Sequence, residues 1–370
     1  MQKTLAGAIL FCFTLAACSS PVTEPTVAPT DPLPSPTSGD ARRLEFDFHR
    51  VDPVIANGES QHWTGRWMNP GGVVWHEGLF HMFINAFHSW PGEISIGHFV
   101  SSDGVVWEPA QDEPLFTSRD IGYLTSTQGA DVSSAVVLPD GRWALYFHTV
   151  SRSGRAGIGM ATAPAPEGPW VFSEEEILSP GQGNEWDNNQ LRWPNVVEAE
   201  DGYLMFYTGA NASGGLAIGL ATSEDGFVWT KYDNPQTSEE VYAESDPVIV
   251  GGEGWEGSMA DRPRAQYTPD GWVMIYTGAE LNSRGLAFSS NGMHWEPFTG
   301  NPIIAKQDFQ DWGENTWDTN LLYHDGLLLL YGIGIVVEYA DLPGHIRREF
   351  EAVDKNLGDP LWYSTVKLNS

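Results

Sequence analysis

Five times along the chain, an apolar run meets a short polar turn and is followed by a second apolar run. The five segments are "GGVVWHEGLFHMFIN", "SSAVVLPDGRWALYFHT", "PNVVEAEDGYLMFYTG", "PRAQYTPDGWVMIYTG" and "TNLLYHDGLLLLYG". Their turn glycines are Gly78, Gly141, Gly202, Gly271 and Gly326. Asp-Gly or Glu-Gly between β-rich runs is a strong hairpin signal. The pattern therefore predicts five β-hairpins.

A third apolar run follows each hairpin, as in "ISIGHFVSSDG" and "LAIGLATSEDG". In three repeats this run ends in a Ser-x-Asp/Asn-Gly-x-x-Trp turn, at Trp107, Trp229 and Trp295. Each repeat is then a small antiparallel sheet that cannot bury both faces alone, and five such sheets packed around an axis form a β-propeller. We therefore predict an all-β fold, a five-bladed β-propeller, with residues 44–55 or 350–367 completing the last blade.

The first residues, "MQKTLAGAILFCFTLAACSS", have the features of an export signal. Lys3 precedes an apolar run over residues 5–17, which is shorter than the roughly 20 residues that a membrane-spanning helix needs. The segment resembles a bacterial lipoprotein signal with the lipobox Leu15-Ala16-Ala17-Cys18. The resemblance implies a signal peptide over residues 1–17 and a lipid on Cys18. An ordinary secretory signal with a chance cysteine is the alternative.

Residues 18–43 are rich in Pro, Thr and Ser and poor in apolar side chains. Such a segment cannot bury enough surface to fold, so it predicts an extended tether. The propeller domain is accordingly assigned to residues 44–370. The expected location is the bacterial cell envelope, with the protein lipid-anchored and extracytoplasmic.

Composition limits the partners of the protein. The chain has 370 residues and a formal net charge of −30, which argues against nucleic acid or an anionic lipid surface because phosphate groups would be repelled. Contact with the membrane is expected only through the lipid on Cys18. The mature chain retains no cysteine pair for a disulfide. The 16 Trp and 12 Tyr residues favour a large core and stacking on sugar rings, so we expect a monomer that binds an oligo- or polysaccharide.

The repeats resemble the propellers of glycoside hydrolase families 32, 43 and 130 over most of residues 50–345. In these families the innermost strand of each blade precedes the hairpin and lines a central pocket. The resemblance implies that the functional side chains lie shortly before each turn glycine. Those positions hold Met68-Asn69-Pro70, Asp131-Val132-Ser133, Arg192-Trp193-Pro194, Asp261-Arg262-Pro263 and Thr316-Trp317-Asp318.

The acidic positions of family 32 are altered in this chain. By resemblance, Asn69 stands at the nucleophile position, Trp193 at the transition-state stabiliser and Asp261 at the general acid. Retaining hydrolysis needs a carboxylate nucleophile, which an amide cannot replace. We therefore predict a different mechanism, one option being inverting hydrolysis with Asp261 as acid and Asp131 or Asp318 as base.

The second option is phosphorolysis, because the chain resembles family 130 in its Asn-Pro of blade one. Arg192 and Arg262 would hold the phosphate, with Arg66 and Arg264 close by. Guanidinium groups bind carboxylate or phosphate bidentately, so a pocket for an anionic sugar or phosphate is one interpretation. The other is that these arginines neutralise acids between blades. The substrate-binding candidates are Asn69, Arg192, Trp193, Arg262, Trp317 and Asn320.

Other polar features are less specific. Asp187 lies in "WDNNQL", which resembles the "WDTNLL" around Asp318, and either belongs to a pocket or makes a turn. The histidines show no metal-ligand spacing, and His148, at the end of a second strand, is the one that merits a test. We predict no metal centre and no cofactor, although the acidic surplus would allow a structural Ca²⁺ ion.

The leading hypothesis is a glycoside hydrolase-like protein that cleaves a glycosidic bond in the central pocket, with the pKa of Asp261 raised so that it acts as the acid. A catalytically silent glycan-binding lipoprotein is the first alternative, and Asn69 and Trp193 favour it. A mannoside phosphorylase-like enzyme is the second. A scaffold for protein partners is supported by the fold alone, which is weak support for any function.

Overall fold

The computed structural model describes residues 44–47, 55, 62–65, 67–87, 93–125, 128–150, 154–279, 283–305, 318–333 and 361–368, with backbone alone for 44–47, 333 and 361–368. The predicted signal peptide and tether, together with Cys18, lie outside these residues. So do Arg66 and Trp317. Within the described part of the chain, no helix has the length and apolar character needed to cross a membrane.

The five predicted hairpins are present. Each pairs an inner strand with a second strand in antiparallel register. The strand pairs are β2 (Trp67–His76) with β3 (Leu79–Phe87), β7 (Gly129–Val137) with β8 (Trp143–Val150), β11 (Gln190–Ala199) with β12 (Gly202–Ala210), β16 (Asp261–Thr268) with β17 (Gly271–Thr277), and β20 (Thr319–His324) with β21 (Leu327–Ile333). At the first turn Gly78 has a φ of 85° and open space around it, so glycine is required there by the backbone and not by packing.

Further strands extend the hairpins outward. They are β4 (Ser95–Ser101), β5 (Glu108–Pro109), β6 (Phe116–Thr117), β9 (Ile158–Ala163), β10 (Val171–Phe172), β13 (Leu216–Ser223), β14 (Thr230–Lys231), β15 (Pro247–Val250), β18 (Arg284–Ser289) and β19 (Glu296–Pro297). Short 3-10 turns occur at Ser118–Asp120, Glu240–Tyr242 and Gly254–Glu256.

These strands form five antiparallel sheets, which we number one to five by the order of their inner strands β2, β7, β11, β16 and β20. The fifth sheet is completed from both ends of the domain. Its order is β1-β22-β21-β20, where β1 (Leu44–Asp47) pairs with β22 (Leu361–Leu368). The prediction that the terminal segments of the domain complete the last sheet is confirmed.

Side chains link each sheet to the inner strand of the next sheet. Asn85 bonds both backbone groups of Val132, Ser134 accepts from the Val196 nitrogen, Asn195 accepts from the Ala265 nitrogen, Arg264 donates to the Thr319 carbonyl, and Asn320 donates to the Gly71 carbonyl. These links run from sheet one to sheet five and back to sheet one. Five apolar clusters, one between each neighbouring pair of sheets, form the core.

The three Trp turns share one structure. In the first turn, the Ser101 hydroxyl accepts from the nitrogens of Asp103 and Gly104, while the Asp103 carboxylate accepts from the next two backbone nitrogens. The Trp107 indole nitrogen donates to the Gly104 carbonyl. The same bonds recur around Trp229 and Trp295. A local side-chain network thus fixes each turn.

The predicted all-β propeller is confirmed, but the predicted blade number is not. Four blades are counted where the sequence predicted five. Sheet five differs from the other four because its strands come from both ends of the domain, whereas each of the others is built from one continuous stretch.

Candidate active site

Four of the five inner strands are irregular at the same place. The pairing register shifts between Pro70 and Val73 in β2, between Val132 and Ser134 in β7, between Arg192 and Asn195 in β11, and between Asp261 and Arg264 in β16. Two bulge residues, Trp193 and Arg262, have φ values of 48° and 50°. Residues other than glycine rarely adopt a positive φ. β-Bulges are common next to functional sites, where they change the direction of a side chain.

The residues at these bulges meet around the axis, although they lie far apart in the sequence. The Asn69 amide nitrogen donates to Asp131 at 3.2 Å and to Asp318 at 3.0 Å. Its amide oxygen is buried and accepts no hydrogen bond within the described residues. A substrate hydroxyl could donate to that oxygen, since a buried acceptor without a donor is costly.

Arg262 joins Asp318 to the one remaining acidic position, Asp261. Its Nη1 donates to Asp261 at 3.0 Å and its Nε donates to Asp318 at 3.1 Å. The guanidinium carbon lies 4.0 Å from the centre of the Trp193 ring, a cation–π distance. Arg262 is therefore neutralised by two carboxylates and held flat against an indole.

Asp261 accepts three hydrogen bonds. Besides the Arg262 side chain, its donors are the Thr208 hydroxyl and the Arg262 backbone nitrogen, both at 2.9 Å. These three donors fix the position of the carboxyl group. The general-acid role predicted for Asp261 stays untested.

Asp131 and Asp318 form a coupled pair with opposite tendencies. Burial, followed by the negative charge of Asp318, raises the pKa of Asp131, and the Asn69 amide only partly opposes this. Burial also acts to raise the pKa of Asp318, but Arg262, the Asn69 amide and Arg264 outweigh it, so that pKa is lowered. Two carboxyl groups in one buried site cannot both ionise easily. Of the two groups, Asp131 therefore holds a proton more tightly than Asp318 does.

Two supporting residues were missed from the sequence. Asn85 donates to Asp131 at 3.0 Å, and Thr208 donates to Asp261. Each lies on a second strand and supports the acid of the following sheet. Both stand opposite a pocket position in register, Asn85 across from Asn69 and Thr208 across from Arg192. A polar residue near the end of an apolar second strand was the available signal.

The other buried arginines have different partners. Arg264 donates to the carbonyls of Thr319 and Pro263, and burial lowers its pKa to about 10. Burial, followed by the charge of Arg262, lowers the pKa of Arg284 to about 9. Arg192 donates to the Gln190 amide oxygen at 2.7 Å and contacts no carboxylate within the described residues. Arg262 therefore neutralises acids between sheets, and Arg264 binds backbone carbonyls. Arg192 keeps a positive charge that a ligand could bind.

The remaining candidates have structural surroundings. The Asn320 amide nitrogen is occupied by the carbonyls of Gly71 and Ser133, so it holds inner strands together and its predicted substrate contact stays untested. His148 packs 5.2 Å from the Trp193 ring, and burial, followed by the charge of Arg192, lowers its pKa to about 3. Asp187 is paired with Lys231 at 2.6 Å, away from the axial cluster.

No metal centre is indicated among the described residues, where no group of three His, Cys, Asp or Glu side chains converges. The structural Ca²⁺ ion considered from the acidic composition stays untested, because Ca²⁺ also binds backbone and amide oxygens. The axial groups can supply carboxyl groups and hydrogen-bond donors.

Known proteins of related sequence act on fructans. The chain is 30% identical over 237 residues to a levanase from Bacillus sp. (strain L7), a match that covers 59% of this chain and 23% of the levanase. It is 26% identical over 222 residues to a fructan 1-exohydrolase from Triticum urartu, covering 56% of this chain and 33% of the relative. The matched region thus spans a third or less of these relatives.

Solved structures share the fold at low sequence identity. The Bombyx mori GH32 β-fructofuranosidase BmSUC1 superposes with a TM-score of 0.57 and 17% identity, over 89% of this chain and 64% of the other. Proteins of families 43 and 130 show the same fold. Residues 62–246, half of the chain, match the model of the glycosyl hydrolases family 32 N-terminal domain. The chain therefore belongs to the glycosyl hydrolase family 32 N-terminal domain family.

Proposed function

We propose that the protein is a glycosidase that cleaves a glycosidic bond at the axial site, with Asp131 as general acid and Asp318 as the ionised carboxylate. The observation that carries the proposal is the single amide of Asn69 in contact with both groups. Acid and base roles are assigned where two titrating groups have their pKa values pushed apart. Asp131 and Asp318 meet that condition.

The spacing of the pair favours retention of configuration. Both carboxyl groups contact one nitrogen, at 3.2 and 3.0 Å, so their nearest oxygens cannot be further apart than the sum of those contacts. This upper limit is shorter than the smallest separation of the two carboxyl groups in inverting enzymes, roughly 6.5 Å. The separation in retaining enzymes, about 5–5.5 Å, is compatible with it. Asp318 would bond to the anomeric carbon as the glycosidic C–O bond breaks. Asp131 would protonate the leaving oxygen and then take a proton from the water that releases the sugar.

The substrates to test first are fructans, because the relatives include a levanase and fructan exohydrolases. An anionic sugar is the alternative substrate, because Arg192 would offer it a positive charge. Wild type, Asp131→Asn, Asp318→Asn and Asp261→Asn would be assayed for release of reducing sugar from levan, inulin, sucrose, β-mannosides and uronate-containing glycans. Loss of turnover in the first two variants is expected, and the anomer of the first product, observed by NMR, should retain configuration. Full activity in Asp131→Asn would reject the assignment.

Binding without turnover is the second candidate, and the amide at Asn69 favours it. Calorimetry would then detect a glycan that binds wild type while none of the panel is cleaved. A requirement for inorganic phosphate in the assay would instead select the phosphorylase alternative, in which Arg192 would hold the phosphate.

We also propose that sheet five serves as a fifth blade. The inner strands contact one another in the cyclic order β2, β7, β11, β16, β20 and back to β2, and an apolar cluster fills each of the five contacts between sheets. An experimental structure with five repeats around the axis would agree with this proposal.

The envelope location likewise stays a proposal that rests on Leu15-Ala16-Ala17-Cys18. A Cys18→Ser variant should leave the membrane fraction and appear in the soluble fraction.

A further inference from the structure

A second polar cavity lies on sheet two, separate from the axial cluster. Its volume is about 270 Å³, and we call it the Tyr123 cavity. Its lining residues are Tyr123, Leu124, Gln128, Thr149, Glu175, Glu176 and Ser179. None of the axial residues contributes to it. Glu175 and Ser179 are exposed, so the cavity opens to solvent.

The cavity is one strand position away from the axial site. In the register of β7 and β8, Asp131 faces His148 and Ala130 faces Thr149. Successive side chains on a strand point to opposite faces. His148 packs on Trp193 of sheet three, whereas Thr149 lines the cavity on the other face of β8. The two sites therefore lie at the same end of β8, on its opposite faces.

Two hydroxyl groups in this cavity lack partners. Thr149 is buried, and its hydroxyl makes no hydrogen bond within the described residues; the same holds for the Tyr123 hydroxyl. Burial, followed by the negative charge of Glu176, raises the pKa of Tyr123, and the nearby Ser173 and Thr149 hydroxyls only partly oppose this. Neither completes a hydrogen bond of good geometry with the Tyr123 hydroxyl. Buried polar groups are normally paired, so a ligand hydroxyl that reached either oxygen would supply the partner it lacks.

The lining limits the chemistry of such a ligand. Glu175 and Glu176 would repel an anion. A metal ion has no converging group of three acidic or histidine side chains in the described residues. The Gln128 side-chain oxygen already accepts from Thr125, so its amide nitrogen remains as a donor, while Glu175 remains as an acceptor. Donors, an acceptor and a Tyr ring together suit a neutral polyhydroxylated ring.

The size of the cavity points to one sugar unit. Ligand pockets usually measure about 300–1,000 Å³, and the Tyr123 cavity, at about 270 Å³, lies just below that range. Gly159 of β9 underlies the site, because a Cβ there would lie 2.1 Å from the Tyr123 hydroxyl oxygen. The position of the tyrosine therefore depends on a glycine in the strand beneath it.

We propose that the Tyr123 cavity is a saccharide-binding subsite that holds a neutral sugar unit through Tyr123, Thr149 and Glu175. The further claim, that this sugar unit belongs to the glycan cleaved at the axis, rests on the proposed function. Binding of a free sugar in the cavity does not depend on the proposed function.

The test uses isosteric variants of the full chain. Tyr123→Phe and Thr149→Val each delete one hydroxyl, and Glu175→Gln alters an exposed side chain with little effect on folding. Tyr203→Phe is the matched control, since Tyr203 also has a buried hydroxyl without a partner but lies outside the cavity. Calorimetry with fructose, glucose, galactose, mannose and fructo-oligosaccharides would be run in the Asp318→Asn background, so that no turnover intervenes.

Each cavity variant should weaken binding by about five- to tenfold, the size expected for one hydrogen bond, and the control should not change it. In the active protein, the same variants should raise KM for long oligosaccharides more than for short ones, at constant kcat. Unchanged affinity in all three variants, or an ordered water alone in the cavity of a sugar-soaked crystal, would overturn the subsite. If sugars bind and the variants weaken that binding, but wild type cleaves no glycan, the subsite is supported and the proposed function is wrong.

Discussion

By resemblance, Asn69 stands at the nucleophile position of family 32, and its contacts explain why an amide is suitable there. Its nitrogen donates to Asp131 and Asp318 together. A carboxylate at this position would place three acidic groups in mutual contact in one buried site. The amide is instead a neutral bridge between Asp131 and Asp318.

Replacing Asn69 by aspartate should accordingly fail to restore family 32 chemistry. Asn69→Asp is expected to lower kcat at least tenfold and to destabilise the fold by about 1–3 kcal/mol, because two hydrogen bonds become like-charge contacts. Kinetics on the preferred glycan and urea unfolding would measure these effects. Asn69→Ala removes the bonds without adding charge and should be the milder variant. Gain of activity in Asn69→Asp would show that the aspartate nucleophile had simply been lost.

The opposite pKa tendencies of Asp131 and Asp318 predict opposite effects of pH on stability. A carboxyl whose folded pKa is raised binds its proton more tightly in the folded state, so stability is lost as pH rises above the unfolded value of about 4. Asp131→Asn abolishes that loss. Its free energy of unfolding should therefore rise relative to wild type between about pH 4 and the raised value.

Asp318 has the reverse sign, because its lowered pKa contributes stability above about pH 4 that is lost in acid. Asp318→Asn should cost at most about 3–5 kcal/mol at neutral pH, since Arg262 still retains Asp261, and the cost should shrink as pH falls. Urea unfolding of both variants and wild type over a pH series tests the pair. Parallel pH profiles for the two variants would contradict the assignment of the proton to Asp131.

The Trp turns show how one sheet is attached to its neighbour. Trp107, Trp229 and Trp295 pack edge-on against Tyr331, Tyr146 and Phe206 of the preceding sheet, at 5.7, 5.8 and 5.5 Å between ring centres. The two tyrosines also donate to the carbonyls of Gly104 and Gly226 within the turns. Phe206 has no hydroxyl, so the aromatic contact is the common part of the attachment and the hydrogen bond is an addition.

Two variants separate the aromatic contact from the hydrogen bond. Tyr146→Phe should destabilise the protein by about 0.5–1.5 kcal/mol, because the Gly226 carbonyl loses one of its two donors and keeps the Trp229 indole. Trp229→Ala should cost about 3–5 kcal/mol through the cavity that it leaves. Thermal unfolding measures both, and equal losses in the two variants would mean that the hydrogen bond is the main contribution.

The sequence was sufficient for the hairpins and the Trp turns, because these follow from local periodicity and repeat position. The meeting of Asn69, Asp131, Asp261 and Asp318 around one axis was implied by the resemblance to the glycoside hydrolase propellers. It was insufficient for the proton assignment. Which acid keeps the proton depends on Arg262 and on the bulge that turns it, and neither has a signature in local sequence. The supporting bonds of Asn85 and Thr208 cross between sheets, so they exist only once the ring has closed.

The domain as a whole is closed by strands from its two ends, and this closure can be tested by truncation. β1 pairs with β22 over four residues, from Leu44 opposite Leu368 to Asp47 opposite Thr365. A protein that begins at residue 44 keeps this pairing, whereas one that begins at residue 48 loses it and exposes the edge of β22. At about 0.5–1.5 kcal/mol for each backbone hydrogen bond, the shorter protein should be less stable by roughly 2–4 kcal/mol.

Because sheet five also carries the strand that follows Asp318, the shorter protein should lose glycan cleavage more steeply on heating than the longer one. Calorimetric unfolding and activity measured over the same temperature range would test this, and identical melting of the two proteins would show that β1 contributes nothing to closure.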